Sequence, residues 1–203
     1  MLADLVQWLV QNILDMGYLG IFLLMMIESS FIPFPSEVVL IPAGYLAQQG
    51  EMNTLAIFIA AIFGSLSGAF INYFGALLIG RRLLMKFGKY IFISNSAMEK
   101  MDTFFQNHGP ISTFTGRLIP GIRQLISIPA GLSRMPLLPF SIYTALGAGI
   151  WSIVLIALGY ILGENKELIA EYLHQITLTV LGMLVVLVFV YIRRLKTKIV
   201  KND

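Results

Sequence analysis

The chain has 203 residues, 57% of them hydrophobic and 12% charged, with a mean hydropathy of +0.81. That composition excludes a soluble domain and predicts an all-α polytopic membrane protein built as a single membrane domain. The net charge is +3, and all fourteen Lys and Arg residues lie at or after Arg81; this is a topology signal, and no nucleic-acid partner is expected. With no cysteine, disulfides, thiolate metal sites and thiol nucleophiles are excluded. The N-terminus lacks a basic leader region and is read as mature protein.

Residues 1–15 place Leu2, Leu5, Val6, Leu9 and Ile13 opposite Asp4, Gln7, Gln11 and Asp15. This is the pattern of an amphipathic helix, either in the headgroup layer or packed on its own protein. From 17 to 47 the chain is apolar but interrupted by Pro33 and Pro35, and it carries Glu28 and Glu37. A clean spanning helix tolerates neither feature well. A re-entrant hairpin with arms 17–30 and 36–47 tolerates both. Each arm would measure roughly 15–20 Å against a hydrocarbon core of ~30 Å, so the tip would lie near mid-depth. Non-helical backbone survives there only inside protein or beside a wet cavity, and a cavity is therefore expected.

Residues 54–80 read as a transmembrane span, completing a first repeat over 17–80, with Gly64, Ser65, Gly68, Ala69 and Gly75 allowing close helix approach. Arg81, Arg82, Lys86 and Lys89 mark its cytoplasmic end. Residues 82–109 carry too many charges to span and read as interfacial helices. There Ser96 and Glu99 form a capping box, and Met98, Met101 and Phe105 share one side. A second repeat covers 110–162, with a re-entrant hairpin over 110–135, its tip at Leu118–Gly121, and a span over 137–162. An acidic loop over 163–174 and a C-terminal span over 175–192 follow, and Arg193, Arg194, Lys196, Lys198 and Lys201 put the C-terminus on the cytoplasmic side.

The two hairpins contain copies of one pattern. Residues 31–44 and 118–131 align without a gap at an offset of 87, with Ile-Pro on Ile-Pro and Ile-Pro-Ala-Gly on Ile-Pro-Ala-Gly. One span separates the copies, so they enter from opposite leaflets, and an inverted repeat with broken helices is a transporter architecture. Glu28 and Glu37 flank the first break; Arg117 and Arg123 flank the second. Two guanidiniums at i and i+6 across a turn suit bidentate capture of a phosphate. Unpartnered in lipid they would cost at least several kcal/mol, so an anion is required: the carboxylates, a lipid phosphate, or each in alternation. Four charges that merely lock the hairpins together are the bland alternative.

Glu28 and Glu37 are candidates for gating and for carrying protons. Pro33, Pro35, Ser36, Pro120, Gly121 and Gln124 are expected to shape the breaks and line the cavity. Ser36 and Ser127 either donate to a headgroup or satisfy local backbone, the commoner use of such hydroxyls. Gly44 and Gly131 are expected to end the breaks, and Trp151 to pack in mid-span. His108 and His174 stand alone, so no metal site and no cofactor is expected beyond proton coupling.

These motifs resemble a known family. Glu28 with Pro33, Pro35 and Glu37, then Ala43-Gly44-Tyr45-Leu46-Ala47, Phe114-x-Gly116-Arg117-x-Ile119-Pro120-x-x-Arg123, Ala130-Gly131 and Gly147-x-x-x-Trp151 are similar to the DedA/VTT (SNARE-associated) family over about residues 15–165. The resemblance implies that Glu28, Glu37, Arg117 and Arg123 are functional. It also implies lipid translocation: undecaprenyl phosphate recycling or phosphatidylethanolamine flipping in bacteria, scrambling in eukaryotic relatives. The expectation is a flippase of the bacterial cytoplasmic membrane whose partners are a phosphate-containing lipid and the bilayer, with homo-oligomerisation left open. Undecaprenyl phosphate is preferred because an isolated phosphate monoester needs two cations and offers no amine. The rivals are a proton-driven exporter of small cations, an intramembrane lipid phosphatase and a purely structural assembly partner. No nucleophile–base constellation supports the phosphatase, and the protein is expected not to be an enzyme.

Overall fold

The computed structural model describes residues 15–30, 35–80, 95–119 and 122–162, together with isolated positions between 175 and 189. All regular structure among these residues is helical. The amphipathic stretch 1–15, all but its last residue, lies outside them, as do 82–94, 163–174, most of the 175–192 span, and Pro33, Pro120 and Gly121.

Among the described residues six helices build the main unit. They are α1 (Tyr18–Glu28), α2 (Glu37–Gln48), α3 (Thr54–Gly75, prolonged by a π-helical turn over Ala76–Gly80), α4 (Asn95–Leu118), α5 (Ser127–Leu132) and α6 (Leu137–Leu162). Among the described residues two stretches are long and apolar enough to cross a bilayer: Thr54–Gly80, with 27 residues, and Leu137–Leu162, with 26, each of mean hydropathy 2.1. At 1.5 Å per residue both reach about 40 Å, beyond the ~30 Å hydrocarbon core. With 11 and 12 residues, α1 and α2 reach only about half-way across.

Local chemistry explains the ends. Asn53 caps α3, its Oδ1 accepting from the Leu55 N–H at 2.9 Å and the Ala56 N–H at 3.1 Å. The Tyr18 hydroxyl accepts from the Asn53 N–H at 2.8 Å, tying the start of α1 to the start of α3. Pro129 falls in the first turn of α5, where a missing N–H leaves nothing unbonded.

The sequence separates interfacial helices over 82–109 from a hairpin arm starting at 110. The structure instead runs one helix from Asn95 to Leu118 straight through Pro110. Its first half is not merely a surface element: Phe105 is buried in an apolar cluster with Ala69, Tyr73, Ala130, Met135 and Phe140. The Tyr73 and Phe140 rings lie 4.8 Å apart, and the Tyr73 hydroxyl donates to the Met135 carbonyl. This cluster joins α3, α4, α5 and α6 and holds the second break in place.

The packing follows a crossed pattern. Helix α1 lies along α3 and α4 along α6, while α2 lies on α6 and α5 on α3; α3 and α6 also touch each other. Exchanging the first three helices for the last three leaves this pattern unchanged. Two glycines at the aligned repeat positions make it possible. They do not end the breaks: Gly44 sits inside α2 and Gly131 inside α5. A Cβ on Gly44 would collide with the Ile156 carbonyl oxygen, and one on Gly131 with that of Tyr73. Gly44→Ala and Gly131→Ala should each destabilise the protein by about 1–3 kcal/mol, the usual cost of overpacking. Thermal unfolding in detergent checks this, and unchanged midpoints in both variants would rule out the close approach.

Residues 165–203 form a separate unit. Its described positions are helical, with the Thr179 hydroxyl donating to the Gln175 carbonyl one turn back, at 2.8 Å, and with Leu178, Val185, Val186 and Phe189 exposed.

Candidate functional site

The connections after α1 and after α4 meet beside α3 and α6, and the ionisable residues meet with them. Glu28 ends α1 and Glu37 opens α2; Arg117 lies in the last turn of α4 and Arg123 in the coil before α5. Glu28 and Arg117 are each 3% exposed, and Arg123 is 9% exposed. Backbone groups of the second connection are satisfied within it, for example Arg123 N–H to Ile119 C=O at 3.0 Å and Ile126 N–H to Ile122 C=O at 3.0 Å. The charged side chains are thus left free to face one another.

The four charges do not pair two by two. Both carboxylates go to Arg123. Its Nε lies 3.1 Å from Glu28 Oε1, an electrostatic contact in which the N–H does not point along the line to the oxygen. Its Nη2 lies 3.5 Å from Glu37 Oε1 and donates to the Ser36 hydroxyl at 2.9 Å. Ser36 and Arg123 are the aligned positions of the two repeats, in direct contact. Ser36 stands at the N-cap of α2 yet makes no cap bond, because its oxygen serves the guanidinium. The Trp151 ring lies under Arg123, 5.5 Å from ring centroid to Cζ, within range of a cation–π contact.

Arg117 has a different environment. Among the described residues no carboxylate lies within ion-pair distance of it. Its Nη2 donates to the Ser127 hydroxyl at 3.0 Å and its Nη1 to the Ser29 hydroxyl at 3.4 Å, while its Nε is buried with no acceptor. Ser29 in turn donates to Glu28 Oε2 at 2.9 Å. The Arg117 guanidinium is therefore hydrogen-bonded by two neutral hydroxyls, and it interacts with Glu28 both through Ser29 and through space.

Glu28, Ser29, Ser36, Arg117, Arg123 and Trp151 form much of the wall of one cavity of about 20 Å³. That is room for about one water. A phosphate group does not fit in it. Of the other residues expected here, Glu37 is half-buried and reaches the site through Arg123. Pro35 is exposed, and Gln124 is half-buried and off the cavity wall.

Four participants escaped sequence reasoning. Ser29 adjoins Glu28 in a serine pair with no distinguishing pattern. Ser127 is expected either to donate to a headgroup or to satisfy local backbone, and in the structure its hydroxyl accepts from Arg117. Trp151 was expected only to pack, and it lies against the charge cluster. Asn72, in the last turn of α3, is fully buried; its Nδ2 donates to the Ser29 carbonyl at 3.1 Å and the Gln124 carbonyl at 3.0 Å, joining the two connections. An amide in an otherwise apolar span was the signal that could have found it.

The comparisons agree with this architecture. A model of the VTT domain matches residues 34–161. The membrane protein YkoX of Bacillus subtilis is 37% identical over 97% of this chain and 87% of its own length. An alkaline phosphatase-like protein of Lactococcus lactis is 38% identical, covering 92% of this chain and 91% of that protein. Undecaprenyl phosphate transporter A of Bacillus subtilis is 32% identical, covering 94% and 92%. No solved structure matches. With most of the six-helix unit inside the match, the chain belongs to the VTT-domain (DedA) family of membrane proteins.

Proposed function

We propose that this protein is a lipid transporter that moves a phosphate-headgroup lipid, in the first instance undecaprenyl phosphate, across the bacterial cytoplasmic membrane. The observation that carries the proposal is Arg117: a buried guanidinium that no carboxylate among the described residues pairs with directly, and an Nε donor with no acceptor. A buried cation held only by hydroxyls is a site for an anion that arrives and leaves. The name of the Bacillus relative, undecaprenyl phosphate transporter A, supports the same choice of substrate.

In this reading α1–α2 and α4–α5 are re-entrant hairpins entering from opposite leaflets, related as inverted repeats, with the C-terminus cytoplasmic. The half-length α1 and α2 and the crossed packing support it. Arg123 is held by Glu28 and Glu37, and opening one connection releases it to join Arg117 on the headgroup while the lipid chain stays in the bilayer. The freed carboxylates are then the groups that can carry protons. The protein does no covalent chemistry on its substrate.

Proteoliposomes test this. Purified full-length protein should accelerate the appearance of polyprenyl phosphate in the opposite leaflet with no solute added. Movement only with an added cation would favour the exporter. Release of inorganic phosphate would favour hydrolysis, as the name of the Lactococcus relative suggests for that protein. Either result overturns the proposal.

A further inference from the structure

Trp151 brings to the cavity wall a polar atom that has no part in the charge cluster. It is 5% exposed, its ring forms part of the wall, and Nε1 is buried without an acceptor. A buried indole N–H ordinarily finds a partner, and leaving one unmade costs about 1–3 kcal/mol. The ring cannot simply turn away to find one, because its face lies against the Arg123 guanidinium. Indole nitrogen donates and never accepts. The group it lacks is therefore an acceptor. The carboxylates nearby are held in the Arg123 cluster: Glu28 and Glu37 by ion pairs with Arg123, and Glu28 Oε2 by the Ser29 hydroxyl. Arg117 Nε, on the same wall, is a second buried donor without an acceptor.

We infer that Trp151 is a headgroup ligand: its indole N–H donates to an oxygen of the phosphate that Arg117 grips. The inference rests on the phosphate-lipid reading of the site and adds a neutral donor to it. A phosphate has an oxygen for each of these donors, and the indole contributes a hydrogen bond without adding a third positive charge. The face of the same ring keeps Arg123 in place beneath it. Trp151 thereby couples the cation that leaves the carboxylates to the anion that replaces them. The chemistry recognised is a phosphate oxyanion, on a lipid or free.

The chain has two tryptophans, Trp8 and Trp151, so Trp8→Phe leaves a single indole reporter. Full-length Trp8→Phe protein, ¹⁵N-labelled at the indole and held in nanodiscs, is titrated with polyprenyl phosphate, with the uncharged polyprenol, and with inorganic phosphate. The indole N–H resonance should shift and saturate with polyprenyl phosphate and stay fixed with polyprenol. A matching shift with inorganic phosphate would support the inference and assign recognition to the phosphate alone. A shift with the lipid only would support it with the chain required as well. In parallel, Trp151→Phe keeps an aromatic face under Arg123 and removes the donor. Its dissociation constant for polyprenyl phosphate should rise about tenfold, the size of one hydrogen bond to a charged group. If polyprenyl phosphate binds while the resonance does not move, or Trp151→Phe binds as tightly as wild type, the indole is no ligand, yet the phosphate-lipid reading stands. If wild type binds no polyprenyl phosphate, both readings fall. The titration does not depend on Trp151→Phe folding.

Discussion

Arg117→Ala should abolish translocation of polyprenyl phosphate in proteoliposomes while costing only about 1 kcal/mol of stability, the ordinary size of a point substitution. The two effects separate because of what surrounds the side chain. No carboxylate among the described residues pairs with Arg117, so its removal leaves no buried counter-charge; the Ser29 and Ser127 hydroxyls each lose one donor. The anion, in contrast, loses the charge that binds it. Arg117→Lys keeps the charge but replaces a planar fork by a point donor, and one charge-assisted hydrogen bond lost should slow transport by about 10–100-fold. Initial translocation rates and melting temperatures measured on the same preparations decide the matter. Full activity in both variants would remove Arg117 from headgroup binding. A collapse in stability of the alanine variant would make it a structural residue.

For Arg123 the balance is reversed. Removing it strands Glu28, 3% exposed, and deprives Glu37 of the same partner. Breaking one side of a buried ion pair costs about 3–5 kcal/mol, because the remaining charge stays desolvated. Arg123→Ala should therefore lower the melting temperature far more than Arg117→Ala. Adding Glu28→Gln and Glu37→Gln to Arg123→Ala should restore much of the loss by neutralising the stranded carboxylates. This non-additivity is the signature of groups sharing one network. A triple variant no more stable than Arg123→Ala would mean that the carboxylates are not held by this guanidinium.

The helical class and the two membrane-length helices were legible because hydropathy is a local property, summed along the chain. The four charges stood out for the same reason: ionisable residues inside apolar segments are rare enough to notice without coordinates. Which charge meets which was not legible. That both carboxylates choose Arg123, while Arg117 receives hydroxyls, depends on how α1, α2 and α4 are rotated about their axes. Composition and spacing do not fix that rotation. Ser36 illustrates the point, since its place before a helix predicts a cap and the nearby guanidinium takes its oxygen instead. The union of 95–109 with the arm that follows was hidden because charge density marks where a helix meets water and not where it ends. Gly44 and Gly131 were read as local punctuation, although what requires them is a carbonyl on a helix distant in sequence.

The crossed packing also has a consequence for how the protein is made. Gly44 is translated long before Ile156, the residue against which it closes, and Glu28 and Glu37 emerge well ahead of Arg123. At ~5–20 residues per second, the nascent N-terminal half waits on the order of ten seconds with two uncompensated acids and a half-length helix that has no docking partner. Such a segment cannot be released into lipid on its own. The N-terminal half is therefore expected to acquire its buried contacts only after the second half has been made.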